Sequence, residues 1–416
     1  MIRHTIHPLL SLLLLLIPLG TGAGKIVPPL VKKALQPEQL GVIVNDADPL
    51  SVKIADYYID ARLIPKENLI HINLKHRGNI IKPRRFSAIH NQVVKQTPRH
   101  IQAYALTWTH PYRVGCMSIT SAFATGYNSK YCAVKTVGKS CGPTPRSPYF
   151  ASDSETPFDD LKIRPTMMIA ANNFEEAKKL IDRGIRSDGT LPQGRAYLLQ
   201  TKNRARSVRA RFFPQVEQLF SNRIEISTLK QDEIIGRDDV MFYITGKTRV
   251  KHLNSLKFHP GAVADHLTSA GGHMTKGDKK RGQMSALRWL EAGATGSYGT
   301  VTEPCNYTTK FPRPDILLNY YLQGETLIEA YWKSVAWPSE GLFIGEPLAA
   351  PYSRRWSDKS GIGRAEKSTE STLESDHIDH SAITPLSLRK VIISPASMSG
   401  VFSAASKTSS GASGSS

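Results

Sequence analysis

From residue 40 onward the chain alternates short apolar runs with longer amphipathic stretches. Leu40 to Val44 is an unbroken apolar run of strand length. Beyond it, Ile54, Ala55, Tyr58, Ile59 and Leu63 recur at the steps of one helical stripe, with Ser51 placed as N-cap, and Leu69 to Leu74 is apolar again. That order predicts a β-α-β unit. The pattern then repeats: a helix around Ala88 to Lys95, a strand in IQAYALTW, a helix in EEAKKLIDRGI, strands in GRAYLLQT and DDVMFYIT, a strand at Gly261 to Ala264, a helix in MSALRWLEAG and a strand from Gly293 to Val301. Strands alternating with helices at this spacing predict an α/β fold, a mostly parallel sheet with helices on both faces, as one domain over residues 24–352.

The two ends differ from this body. Residues 1–23 read as a signal peptide: Arg3, an apolar run from Leu9 to Leu19 too short for a comfortable membrane crossing, and small residues ending at Ala23. Cleavage near Ala23 predicts an exported, periplasmic or extracellular protein whose mature chain does not span the membrane. From residue 353 to 416 the composition shifts to Ser, Thr and small residues, which reads as a flexible tail with one strand-like stretch, SLRKVIIS.

Composition narrows the partners. The 416 residues are 40% hydrophobic, which excludes a disordered or collagen-like chain, and 54 Lys and Arg against 35 Asp and Glu give a formal charge of +19. Residues 24–352 hold 45 basic and 29 acidic residues, so most of the excess sits on the folded body. A basic surface attracts an anionic partner. Export takes nucleic acid off that list and leaves anionic polysaccharide or an acidic protein of the cell envelope. The loop after the first strand, NDADP, has no G-x-G-x-x-G, so no dinucleotide cofactor is expected.

In an oxidising compartment the four cysteines can pair. Cys132 and Cys141 are close in sequence, with Gly138 able to turn between them, and this spacing predicts a local bridge. No C-x-x-C or H-x3-H pair points to zinc. The histidines His252, His259, His266 and His273 recur every seven residues, but Pro260, Gly261, Gly271 and Gly272 break any helix that would align them. The basic run Lys202, Arg204, Arg206, Arg209 and Arg211 has roughly helical spacing and reads as a solvated face, able at most to hold phosphates or lipid headgroups.

Candidate chemistry concentrates between residues 258 and 314. One strand would deliver Asp265 and His266 to its carboxyl end, and its neighbour would deliver Glu303 and Cys305. A Cys and a His on adjacent strand ends suit a thiol hydrolase: Cys305 as nucleophile, His266 as general base, Glu303 or Asp265 as orienting or specificity group. The competing reading makes Cys305 structural, in a bridge with Cys116, and His266 an ordinary loop residue. A third reading is a metal-dependent hydrolase built from Asp46, Asp48, Asp265 and His266 on strand-end loops.

The order His first and Cys second across a strand-helix-strand step resembles the caspase and gingipain class of cysteine peptidases, although His266-Leu267 stands where that class has His-Gly. More of the chain, from Leu40 to Tyr352, resembles a family of exported bacterial proteins of unassigned activity that accompany exosortase-type sorting systems. The motifs that carry this resemblance are GVIVNDADPLSVKIADYYIDARLIPKENLIHI, DHLTSAGG, GATGSYGTVTEPC, KFPRPDILLNYYLQGETLIEAYW and GLFIGEPLAAPY. One departure is Gly345-Glu346-Pro347, where Gly-Asp-Pro is expected. The resemblance implies localisation more than mechanism. Two functions therefore stand: a caspase-like cysteine hydrolase, or a non-catalytic envelope protein that engages a polyanion.

Overall fold

Continuous apolar runs need cover on both faces, and the chain supplies it with helices placed between its strands. A computed structural model describes residues 34–75, 78–133, 141–274 and 282–353. The predicted signal peptide, the Gly138 turn and the tail beyond Ser353 lie outside the described residues. The strands are β1 (Leu40–Asn45), β2 (Leu69–Ile72), β3 (Ile80–Ile81), β4 (Ala103–Leu106), β5 (Arg113–Val114), β6 (Met117–Ser118), β7 (Thr166–Met168), β8 (Arg195–Leu199), β9 (Glu225–Leu229), β10 (Val240–Thr245), β11 (Phe258–His266), β12 (Gly296–Thr300) and β13 (Gly341–Gly345). The helices are α1 (Pro49–Arg62), α2 (Pro83–Gln96), α3 (Ile119–Thr125), α4 (Pro157–Leu161), α5 (Phe174–Ser187), α6 (Phe213–Phe220), α7 (Leu287–Ala292), α8 (Pro314–Leu322) and α9 (Leu327–Ser334).

Ten strands form one sheet in the order β2-β1-β4-β7-β13-β12-β11-β10-β8-β9, and β3, β5 and β6 form a small second sheet. The large sheet is parallel except at one seam. There β13 runs antiparallel to β12, with Gly296 opposite Gly345 and Thr300 opposite Gly341, while pairing parallel to β7. Strand direction therefore reverses at the seam, so the carboxyl ends of β1, β4 and β7 point to one edge of the sheet and those of β8, β10, β11 and β12 to the other.

Both faces are covered, as the alternation predicted. Successive strand residues point to opposite faces. On β10, Phe242 packs edge-to-face on Tyr321 of α8, whereas its neighbour Tyr243 packs edge-to-face on Trp289 of α7. On β13, Phe343 stacks on Trp332 of α9 with ring centres 4.4 Å apart. Aromatic burial of this kind contributes about 1.5 to 3 kcal/mol per side chain. No helix among the described residues is long and apolar enough to cross a membrane.

The first β-α-β unit forms with two changes. Asp48, not Ser51, caps α1 by accepting from the Leu50 amide at 3.0 Å. Ser51 is one turn inside, where its hydroxyl accepts from the Asn45 amide and meets the Thr107 hydroxyl at 2.7 Å. Leu63, expected on the buried stripe, is 84% exposed. The helix stops at Arg62 and Leu63 takes a left-handed C-cap at φ 53°, which turns its side chain off the stripe.

Several charges are buried in pairs. Arg62 of α1 holds Glu346 and Asp188 together, and the Tyr58 hydroxyl donates to Glu346 at 2.6 Å. Glu346 is thus a structural acid, and Gly184 on α5 leaves room for it: a Cβ there would lie 2.7 Å from its Cγ. Lys310 pairs with Glu340 and Lys333 with Glu325, each at 2.8 Å.

Candidate functional site

The carboxyl ends of β11 and β12 lie side by side, set by the parallel register of Val263 with Gly296. The loop after β11 folds tightly onto β12. A Cβ on Gly299 would lie 2.6 Å from the Gly271 carbonyl oxygen, and the Gly272 amide donates to Thr300 at 3.0 Å. Gly272 and Gly299 are therefore what lets this loop sit against the strand end.

The strand ends do bring Asp265, His266, Glu303 and Cys305 into one region, but not as an open dyad. Cys305 is bridged to Cys141, with Cα atoms 5.9 Å apart, and Cys116 to Cys132, with Cα atoms 5.6 Å apart. The expected Cys132–Cys141 bridge is wrong, and so is the alternative of Cys305 with Cys116. The turn between β5 and β6 carries Cys116 to Cys132, and the end of β12 carries Cys305 to Cys141, so proximity in the fold overrides proximity in sequence. In the bridged form the Cys305 sulfur holds no thiolate.

His266 is buried, 1% exposed, and both ring nitrogens are engaged. The Trp289 indole N–H donates to Nδ1 at 2.9 Å, and Nε2 lies 3.1 Å from the Met284 carbonyl. An indole can only donate and a carbonyl can only accept. Nδ1 is therefore the acceptor and Nε2 carries the proton, so the imidazole's lone pair is already in use. Asp265 faces away from His266, as adjacent strand residues must, and pairs with Arg209 at 2.5 Å. Burial pushes its carboxyl up, against the opposing pull of Arg209. Arg209 is itself 2% exposed and donates to the Thr245 carbonyl at 2.8 Å, which corrects the reading of the 202–211 run as a wholly solvated face.

The metal reading does not assemble either. Asp46 and Asp48 follow β1, at the opposite edge of the sheet from Asp265 and His266. Asp46 meets His71 at 2.8 Å, and Asp48 caps α1. Among the described residues no three metal-ligating side chains of His, Cys, Asp or Glu come together. The sevenfold histidines are scattered as expected: His252 follows β10, His259 and His266 lie in β11, and His273 is in the loop after it.

A cleft of about 590 Å3 opens beside these strand ends, lined among the described residues by Arg113, Ser269, His273, Thr302, Glu303 and Glu340, with the Cys116–Cys132 bridge on one wall. Glu303 accepts from the Ser269 hydroxyl at 3.1 Å and from the Cys305 amide at 3.0 Å, both on Oε1. Thr302 donates to the Cys116 carbonyl at 3.3 Å, and Arg113 reaches the Val301 carbonyl at 3.4 Å, so the β5–β6 turn is tied to the end of β12. His273 stacks on Tyr112 and bonds Val301 through Nε2 at 3.0 Å. Of the four residues expected to form the thiol-hydrolase site, Glu303 alone lines this cleft. Ser269 and His273 were in view as neighbours of DHLTSAGG, and Arg113 followed a predicted strand, whereas Glu340 carried no local signal.

The same edge of the sheet carries a cluster of basic side chains. Apart from buried Arg209, the segments after β8, β9 and β10 carry Lys202, Arg204, Arg206, Arg211, Lys230, Lys247, Arg249 and Lys251 against Asp232 and Glu233. These segments touch: the Thr201 hydroxyl donates to Gly246 at 2.7 Å, and the Lys202 amide donates to Asp232 at 2.9 Å. Arg206 reaches Thr268, next to Ser269 of the cleft, at 3.3 Å. No family model, no curated protein and no solved structure matches the chain.

Proposed function

We propose that this is an exported envelope protein that binds an anionic polysaccharide along the basic edge formed by the carboxyl ends of β8, β9 and β10. The observation that carries this reading is the grouping of Lys202, Arg204, Arg206, Arg211, Lys230, Arg249 and Lys251 on the segments that leave β8, β9 and β10, the first of which touches the other two through Thr201 and Lys202. Charges arrayed on one edge sum to a field that attracts a polyanion and weakens with salt. Two disulfides and the signal-like amino terminus support an oxidising compartment, and the likeness to exported sorting-associated proteins agrees with it. The chemistry of the site supports binding over Cys305-dependent hydrolysis, because that reaction needs Cys305 released from Cys141 and His266 released from Trp289 and Met284.

The test uses alginate as a carboxylated probe and dextran as a neutral one. Alginate should bind at low salt, with affinity falling steeply as salt rises, and dextran should not. The charge reversals Lys202→Glu, Arg204→Glu and Lys251→Glu together should weaken alginate at least tenfold. Equal binding by this variant, or no alginate binding at low salt, overturns the reading. Alkylation of Cys305 by iodoacetamide in the folded, unreduced protein, together with peptide cleavage, would replace it with the thiol hydrolase.

A further inference from the structure

We propose that the cleft at the ends of β11 and β12 is a binding site for a primary ammonium group, with Glu303 as its counter-ion. This site uses none of the residues of the basic cluster and does not rest on the polysaccharide reading.

The argument starts from the charges on the cleft wall. Glu340 is buried and already paired with Lys310 at 2.8 Å. Arg113 points its Nε to the Gly115 carbonyl at 2.6 Å and Nη1 to Val301. Neither cation is turned to Glu303. Glu303 itself is half-buried, and it accepts from a hydroxyl and a backbone amide, both neutral; among the described residues it has no ion-pair partner. A carboxylate partly removed from water without a cation is unfavourable, and a charge-assisted partner brought in by a ligand relieves that cost.

The carboxylate is also held ready. Cys305 sits at φ 45°, a backbone state that a non-glycine residue rarely adopts, and its bridge to Cys141 keeps it there with its amide on Glu303. Ser269 fixes the same oxygen from the neighbouring strand end, and Thr302 is tied to Cys116. Ligand binding therefore does not have to order these groups. An ammonium presents three donors. Glu303 and the hydroxyl oxygens of Ser269 and Thr302, all on the cleft wall, are three acceptors of the matching kind. A metal ion is a poorer fit, since among the described residues no third metal-ligating side chain joins the two glutamates. The volume suits a sugar ring or a lysine side chain with its flanking peptide, so the amine of an amino sugar and that of a peptide are the two sources to separate.

Calorimetric titration of the intact, oxidised protein tests this with three probes: glucosamine, N-acetylglucosamine and Nα-acetyl-lysine amide. One or both ammonium probes should bind, the tighter of the two naming the source, and N-acetylglucosamine should bind at least thirtyfold more weakly. Glu303→Gln should lose the ammonium probe by at least thirtyfold while keeping both disulfides and the parent's urea midpoint. Thr302→Val, which leaves Glu303 in place, should weaken the probe three- to tenfold, and stands in if the Glu303 variant does not fold. The proposal is overturned if neither ammonium probe binds, if N-acetylglucosamine binds equally well, or if the variants bind the ammonium probe like the parent.

Discussion

The indole nitrogen of Trp289 donates to Nδ1 of His266 across 2.9 Å in the interior of the protein. A histidine expected to take a proton from a thiol is instead an acceptor for a tryptophan. Nitrogen-15 NMR of the imidazole should show the Nε2–H tautomer, with Nδ1 unprotonated. Trp289→Phe should cost about 3 to 5 kcal/mol, from the lost packing and the orphaned Nδ1 together, measured by urea unfolding. A protonated Nδ1 would contradict the geometry.

Non-reducing peptide mapping should recover Cys116 with Cys132 and Cys141 with Cys305. The second bridge spans 164 residues. Replacing Cys141 and Cys305 together by Ser should lower stability by about 2 to 5 kcal/mol. It should also weaken ammonium binding in the cleft, because the Cys305 amide no longer fixes Glu303.

Gly184→Ala sets a methyl group against Glu346 and should destabilise by more than about 1 kcal/mol. Glu346→Asp withdraws the carboxylate by one methylene. In that background Gly184→Ala should cost less, and the double-mutant cycle should return a coupling of about 0.5 to 3 kcal/mol. Additive effects would mean that the two positions do not meet.

Asp188 supplies a pH signature. Burial pushes its carboxyl up to about 6; Arg62 pulls it down and the nearby Glu346 charge pushes it up. In the unfolded chain the same group titrates near about 3.9. Between those values the native protein holds the extra proton, so stability should fall by about 2 to 3 kcal/mol as pH rises from about 4 to about 6, then level off. Asp188→Asn should flatten that slope in urea midpoints taken across the window.

Breaking the Arg209–Asp265 pair strands a buried charge, so Arg209→Leu should cost about 3 to 5 kcal/mol. Asp265→Asn together with Arg209→Leu should recover part of that loss. An equal loss in the single and double variants would show that packing, not the stranded carboxylate, sets the cost.

Much of the fold was legible because it rests on local pattern. The apolar runs that became β1, β10 and β12 and the stripe that became α1 need only side chains a few residues apart to declare themselves. What escaped depends on distant partners. The cysteine pairs follow from which strand ends meet, Arg209 is buried because Asp265 lies 56 positions later, and α7 begins at Leu287 because Met284 and Ala286 bond to Thr248 and Gly271 instead. The site showed the same division. Glu303 was visible as a polar residue after a strand, but the commitment of Cys305 and His266 was written in Cys141 and Trp289, which no spacing rule connects to them.

The seam between β12 and β13 also dictates when the protein can be finished. Among the described residues β13 is the last strand to leave the ribosome, yet it belongs in the middle of the sheet, between β7 and β12. Until it arrives, β7 and β12 each present a bare hydrogen-bonding edge, and the two half-sheets have no strand to join them. A chain interrupted before Gly341 is thus left with two sticky unfinished slabs, and one extended past Gly345 closes by inserting β13 like a keystone, a slow non-local step exposed to aggregation.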